Sequence, residues 1–283
     1  MIREALAASV DAMRAAGVED PQLDAELLLA EATGWDRAQL AANPEADIPP
    51  PAARRFGELV RRRLRREPVA YILGRRGFRH LELAVDPRVL IPRPETELLV
   101  ELAVELAPAR VLDVGTGCGA IALAIANELP GCEVVATDTS AAALEVARAN
   151  AERLGLEVEL VAATLPPRGG FDLVLANLPY VSESEWPALE PEVREWEPSE
   201  ALLAGPDGLD AIRALLADRA RLLSAIVRQG AGTAPGSLAL EVGDGQSGVV
   251  ASLLVEAGLG SIEARQDLAG IERVVIGRRE DGG

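Results

Sequence analysis

The chain has 283 residues, with 45 acidic side chains against 28 basic ones and a formal net charge of −17. A field of that sign excludes nucleic-acid binding through general electrostatics, which depends on neutralising phosphates and here would need a local basic patch. Two cysteines, Cys118 and Cys132, are too few for a disulfide framework or a cysteine-built zinc site; no apolar run reaches the length of a membrane span, and the opening MIREALAASVDAMRAAG carries acids where a secretory signal needs an apolar core, so a reducing cytoplasmic setting is expected.

Up to Pro68 the pattern is helical. Ile2, Leu6, Val10 and Met13 fall on one stripe over residues 2–16. Asp20 followed by Pro21 opens a second helix, which carries Leu23, Leu27 and Leu28 and closes at Gly34. The stretch PPPAARRFGELVRRRLRRE sets Phe56, Leu59, Val60 and Leu64 along one face, with Arg54, Arg55, Arg61, Arg62, Arg63, Arg65 and Arg66 around them. A solvated face is the plainer reading of those arginines, and a docking face for an acidic partner is the other. Residues 1–67 are therefore expected to form a small helical bundle. Between 69 and 86, glycines punctuating apolar runs predict a hairpin, within a linker over 68–92. The only histidine, His80, lies there without the spacing of a metal site.

From 93 to 283 strands alternate with helices. PETELLVELAVEL reads as a helix with Pro94 at its first position. Then follow strand ARVLDV, helix AIALAIANEL, strand EVVATD, helix AAALEVARANAERLG, and strands EVELVA and FDLVLAN. Helix LDAIRALLADRARLL, strand SLALEV, helix SGVVASLLVEAG and a closing pair near SIEAR and RVVIG complete the order. Such alternation means a parallel sheet covered on both faces. SESEWPALEPEVREWEP has no clear period and predicts a long loop beside the site, with Trp186 and Trp196 as lid contacts or as ordinary packing.

The first strand of this region runs into VLDVGTGCGAIAL. Gly115, Gly117 and Gly119 let the backbone turn sharply and bring its amides up to a ligand at a helix start. Glycines alone also satisfy a dinucleotide pattern. Asp113 inside the strand, and Asp138 at the end of the next one, favour a nucleoside without a pyrophosphate, with Asp138 accepting from both ribose hydroxyls. Together they look like the S-adenosylmethionine site of the seven-stranded methyltransferases; a plain strand–glycine–helix turn is the bland alternative.

The strand FDLVLA ends on Asn177, Leu178, Pro179 and Tyr180, over the same edge of the sheet. Those residues suit a planar nitrogen whose lone pair is delocalised. The Asn177 side-chain oxygen and the Leu178 carbonyl can accept its two N–H groups and aim it at a methyl donor. Pro179 biases Leu178 to an extended shape, and Tyr180 can stack on the planar group. A purely structural turn, capped by Asn177, is the competing reading.

LIPRPETELLVE at 90–101, DVGTGCGAIALAIA at 113–126 and ANLPYV at 176–181 resemble the protein-glutamine N5-methyltransferases of peptide chain release factors, the HemK or PrmC type. EPVAYILGRRGF, AGPDGLDAIRALL, LALEVGDGQ and DLAGIERVVIG strengthen the resemblance, which is close over residues 66–279. It implies an α/β fold: a seven-stranded Rossmann-like S-adenosylmethionine methyltransferase sheet over 93–283, preceded by the helical bundle. It implies S-adenosyl-L-methionine as cofactor, touched by Gly115, Thr116, Gly117, Cys118, Gly119, Asp138, Leu165 and Asn177, and no metal. Asn177, Leu178, Pro179 and Tyr180 would hold the glutamine of a release factor's Gly-Gly-Gln loop. Arg93, Glu95 and Glu97 fall in a segment the family places close to the site. Two stretches depart from the family pattern. Leu178 replaces the first of two prolines, and Ala163, Thr164 and Leu165 stand where the family has a glycine, an aspartate and an aromatic against the adenine. N-L-P-Y also resembles ribosomal-RNA dimethyladenosine enzymes, so an exocyclic amine of nucleic acid (adenine N6) is an alternative substrate. A non-catalytic donor-binding partner of another methyltransferase is the alternative outside enzymes.

Overall fold

The computed structural model describes residues 1–164, 166–167, 169–226 and 236–279. It divides into two units, Met1–Arg75 with Glu190–Trp196, and Arg76–Leu189 with Glu197–Gly283.

The first unit is built on α1 (Ile2–Ala15), α2 (Pro21–Thr33), α3 (Arg37–Ala42), α4 (Pro50–Arg63) and α5 (Val69–Leu73). Ile2, Val10 and Met13 of α1 meet Leu28 and Leu29 of α2 and Phe56 and Leu59 of α4 in one core. The buried face of α2 differs from the leucine stripe expected there. Leu23 is 37% exposed, whereas Asp24 is buried. An acid takes a core position because α4 supplies its partner: the Arg63 Nε donates to Asp24 at 2.6 Å, with both side chains buried. Burial pushes the Asp24 carboxyl above its ordinary value, against the pull of Arg63.

That pairing also revises the arginine-rich face. Arg63 reaches Glu192 at 2.7 Å, and Arg66 donates from Nε to Glu192 at 2.6 Å and from its terminal nitrogen to Glu190 at 2.9 Å. Arg62 donates from Nε to Glu67 at 2.8 Å. Three of the seven arginines are thus tied to carboxylates of this same unit; Arg54, Arg55, Arg61 and Arg65 are exposed. The expected long loop is likewise ordered. Trp186–Ala188 makes a 3-10 turn and Pro191–Arg194 a short helix, and the two glutamates that bind Arg63 and Arg66 lie on or beside that short helix.

The second unit begins with a two-stranded sheet, β1 (Arg75–Phe78) and β2 (Leu81–Ala84). The hairpin is shorter than expected, because VAYIL folds as α5 and stops at Gly74, which takes a left-handed φ of 72°. Helix α6 (Glu97–Leu106) follows a 3-10 turn over Pro94–Thr96, so the predicted helix starts in a tighter winding. Then come β3 (Arg110–Val114), α7 (Ala120–Glu128), β4 (Glu133–Asp138), α8 (Ala141–Leu154), β5 (Glu159–Ala162), β6 (Leu173–Ala176), β7 (Ser237–Glu241), β8 (Gly260–Gln266) and β9 (Glu272–Arg278). The stretch LDAIRALLADRARLL is not one helix. It breaks at Asp218, whose carboxylate accepts from the Arg221 amide at 3.0 Å and starts a second helix, Arg219–Ala225.

The sheet order is β5-β4-β3-β6-β7-β9-β8. Its strands run parallel except β9, which is antiparallel to both β7 and β8. The central β3, β6 and β7 are apolar almost throughout because helices cover both faces. Strand order reverses at β3, whose neighbours are β4 and β6. Val114 pairs with Thr137 on one side and Ala176 on the other. The next residue along each strand is Gly115, Asp138 and Asn177. Three separate sequence signals therefore leave the sheet side by side, at the crevice where such folds bind ligands.

Candidate active site

The turn after β3 is held by its neighbours. The Gly115 and Thr116 amides both donate to the Thr137 carbonyl, at 2.8 and 2.9 Å. Asp113, fully buried, accepts from the Thr116 hydroxyl at 2.6 Å and from the Ala122 amide at 3.2 Å. It brackets the loop from beneath, and burial pushes its carboxyl up to about 7. Gly117 and Gly119 have φ of 57° and 89°, where a side chain is strained. Their surroundings differ. A Cβ on Gly119 would lie 2.8 Å from a Leu123 methyl, whereas one on Gly117 would meet nothing within 4 Å. Gly119 is needed for close packing against α7; Gly117 faces open space.

Asp138 grips that open segment. One carboxylate oxygen accepts from the Gly117 amide at 2.9 Å, the other from the Ser140 amide at 2.8 Å. Each oxygen keeps a further lone pair, so the side chain is oriented and can still accept from a ligand. Cys118 turns inward: it is buried, its thiol is pushed up to about 12 by burial, and its carbonyl accepts from Asn150 at 3.0 Å. No thiolate chemistry is available from it. Leu165 lies outside the described residues. Of its neighbours, Ala163 donates its amide to the Asp138 carbonyl at 3.1 Å, and Thr164 is exposed.

At the end of β6, the Asn177 Nδ2 donates to the Thr96 hydroxyl at 3.0 Å, which leaves Oδ1 to face elsewhere. A Cβ on Gly115 would lie 3.2 Å from a Leu178 methyl, so Leu178 covers the glycine turn. Tyr180 is fixed at both ends. Its carbonyl accepts from the Gln246 side chain at 3.0 Å, and its hydroxyl donates to Glu241 at 3.4 Å. Burial holds that phenol above its ordinary value and therefore protonated. Glu241 is itself buried, and burial pushes its carboxyl up to about 7, against hydrogen bonding from Thr96.

Arg93 and Glu97 have structural employment. Arg93 and the Ile91 amide both donate to the buried Glu197, the latter at 3.0 Å, while Glu97 accepts from the Arg79 amide at 3.1 Å. They anchor the segment that delivers Thr96.

Two family descriptions match the chain: the PrmC N-terminal domain over residues 4–74 and the methyltransferase small domain over 94–189. A release factor glutamine methyltransferase of Geobacter sulfurreducens is 41% identical, over 93% of this chain and 91% of its own. One from Cereibacter sphaeroides is 43% identical, over 97% of each. The chain belongs to the release factor glutamine methyltransferase family. Among solved structures, the catalytic domain of hMettl16, in complex with MAT2A 3'UTR hairpin 6, has a TM-score of 0.56 at 15% identity, covering 70% of this chain and 76% of that one. That likeness shows the Rossmann-like fold alone. No helix among the described residues is long and apolar enough to cross a membrane.

Within this family frame, the residues that sequence reasoning passed over are Thr96, Glu241 and Gln246. Glu241 had a usable signal, since it is an acid ending the apolar strand SLALE, as Asn177 ends LVLA. Thr96 had none, because its importance comes from a hydrogen bond to a residue far along the chain.

Proposed function

We propose that this chain transfers a methyl group from S-adenosyl-L-methionine to the side-chain nitrogen of the glutamine in a release factor's Gly-Gly-Gln motif. The observation that carries the reading is the Asn177 carboxamide. Its nitrogen is committed to Thr96, so its oxygen is the atom left to accept from a substrate N–H. An amide nitrogen is a poor nucleophile in its planar form; acceptors that bind its hydrogens orient it and favour the positive charge that develops as it attacks. Asn177 Oδ1 and the Leu178 carbonyl are those acceptors, and Tyr180 is the surface on which the planar group rests. A strong base before attack is unnecessary, and the nitrogen's extra proton leaves to water once the new N–C bond has formed.

The donor site fits the same scheme. The space over Gly117, which a Cβ would not fill, and the remaining lone pairs of Asp138 suit a nucleoside ribose laid across the turn. Gly115, Thr116, Gly117, Cys118, Gly119, Asp138 and Asn177 would hold S-adenosyl-L-methionine through this backbone and carboxylate surface. The bound sulfonium supplies an electrophilic methyl group and leaves as a neutral thioether. The departures at Leu178 and at 163–164 fall on the rim of this scheme: a leucine keeps the accepting carbonyl, and Thr164 offers no carboxylate to an adenine. Substrate docking is assigned to residues 1–67, linkage to 68–92 and catalysis to 93–283, in the cytoplasm.

Incubation with labelled donor and a peptide chain release factor, beside an RNA control, tests the reading. Label on the Gly-Gly-Gln glutamine, absent when that residue is asparagine, is expected. Greater incorporation into RNA overturns the substrate assignment and leaves the donor site standing.

A further inference from the structure

Two stretches of the sequence, AGPDG at 204–208 and VGDGQ at 242–246, have no part in the reaction described above. They meet at one atom, the Tyr180 carbonyl oxygen. The Gln246 Nε2 donates to that oxygen at 3.0 Å and to the Asp207 carbonyl at 3.4 Å, while Oε1 accepts from the Gly243 amide at 2.9 Å. The carboxamide is therefore oriented at both ends, with its nitrogen toward the turn that follows β6. A Cβ on Gly208 would lie 2.2 Å from the Tyr180 oxygen and 2.8 Å from Gln246 Nε2. One on Gly243 would lie 3.0 Å from Gln246 Oε1 and 3.2 Å from the Tyr180 ring. Both glycines answer one need: only bare backbone leaves room for this side chain beside Tyr180.

What the arrangement holds is the turn itself. Asn177 is tied through Nδ2 to Thr96 at one end, and Tyr180 through its carbonyl to Gln246 at the other. Leu178 and Pro179 lie between these two fixed points. Proline sets its own φ and keeps the residue before it extended. A leucine in place of the first of two prolines leaves φ at 178 soft, so the turn has to be stiffened from outside. With the Tyr180 end released, rotation about the Leu178 backbone bonds would swing the Leu178 carbonyl away from its direction.

We propose that Gln246 is a positioning residue: by holding the Tyr180 carbonyl it fixes the direction of the Leu178 carbonyl, doing from outside what a proline at 178 would do from within. The proposal rests on the Leu178 carbonyl being an acceptor for the methylated nitrogen.

Two measurements test it, one needing no substrate. Tyr180–Val181 is the only Tyr–Val pair in the sequence. Protein labelled with ¹³C at tyrosine carbonyls and ¹⁵N at valine amides therefore gives a single correlation, from the Tyr180 carbonyl. Gln246→Met keeps the length of the side chain and removes all its hydrogen bonds. Gln246→Glu keeps the acceptor for the Gly243 amide and removes the donor to Tyr180. In both variants the Tyr180 signal is expected to move and broaden, as the turn samples several shapes. Adding Leu178→Pro should sharpen it again. In single-turnover methyl transfer at saturating donor, each Gln246 variant is expected to be slower by at least about tenfold, with donor affinity little altered. Measured in a Leu178→Pro background, the loss caused by Gln246→Met should shrink to within about threefold, because both changes act on one turn. A residue that served only the following helix, Ser247–Glu256, would show no such rescue. Should Gln246→Met not fold, Gln246→Glu is read in its place. An unmoved Tyr180 signal, or the same loss with proline as with leucine at 178, overturns the proposal. Should Leu178→Pro be inactive, the Tyr180 signal of the paired variant decides: sharpening upholds the proposal and persisting breadth overturns it. If the unaltered protein methylates no release factor, the substrate reading fails, and the Tyr180 signal still decides the role of Gln246.

Discussion

The roles proposed for Asp138 and Asn177 differ, and two substitutions separate them. Asp138→Ala removes the proposed acceptor for a ribose and also frees the Gly117 amide. Donor affinity measured by calorimetric titration should fall by about 2–4 kcal/mol, the worth of two charge-assisted hydrogen bonds after competition from water. Unchanged affinity would move the ribose elsewhere. Asn177→Ala leaves the glycine turn intact and removes one oriented acceptor. The single-turnover rate at saturating donor should drop on the order of 10²-fold with donor binding little altered. Both residues are legible in the sequence because a polar side chain ending an apolar strand is conspicuous. Glu241 obeys the same rule. Thr96 does not, since nothing within PRPET says that a 3-10 turn will set its hydroxyl beside β6.

At the scale of elements, α4 shows where sequence pattern stops being informative. Its apolar stripe is readable, and Phe56 and Leu59 are buried as expected. Its arginines are not readable, because charge alone does not say which one finds a carboxylate far away in sequence. Arg63 is 5% exposed and meets Asp24 and Glu192. Arg63→Met leaves the buried Asp24 without its cation, with Glu192 held by Arg66 alone, and should destabilise the protein by about 3–5 kcal/mol in chemical denaturation. Arg65, two positions on and exposed, should tolerate alanine within about 0.5 kcal/mol. Equal costs at the two positions would refute the buried pairing. The strand–helix rhythm of the second unit survives translation into structure for the opposite reason. Strands covered on both faces must be apolar throughout, and that requirement is local. The break at Asp218 escapes it, decided by a single capping residue.

For the whole molecule, the net charge of −17 hides two acids that resist ionisation. Asp113 and Glu241 are both pushed up to about 7 by burial. Around Glu241, Glu95 reinforces the rise, while Thr96, Arg273 and Tyr180 oppose it. An acid whose affinity for protons is greater folded than unfolded makes the native state bind more protons, so its contribution falls as pH rises. The decline should begin near the ordinary carboxylate value and be complete just above pH 7. For Glu241 it should amount to something on the order of 3 kcal/mol. Urea denaturation at a series of pH values should therefore show Glu241→Gln gaining on the unaltered protein between about pH 5 and 8. Parallel curves would mean that Glu241 ionises normally. The excursion of residues 190–196 bears on how such a chain can change over time. The chain leaves the second unit after Leu189 to supply the partners of Arg63 and Arg66, then returns at Glu197. A helical bundle inherited from another relative by a single crossover near residue 75 would meet a short helix selected for a different set of arginines. The two units look modular in sequence, yet they must be exchanged, or must diverge, together with those seven residues.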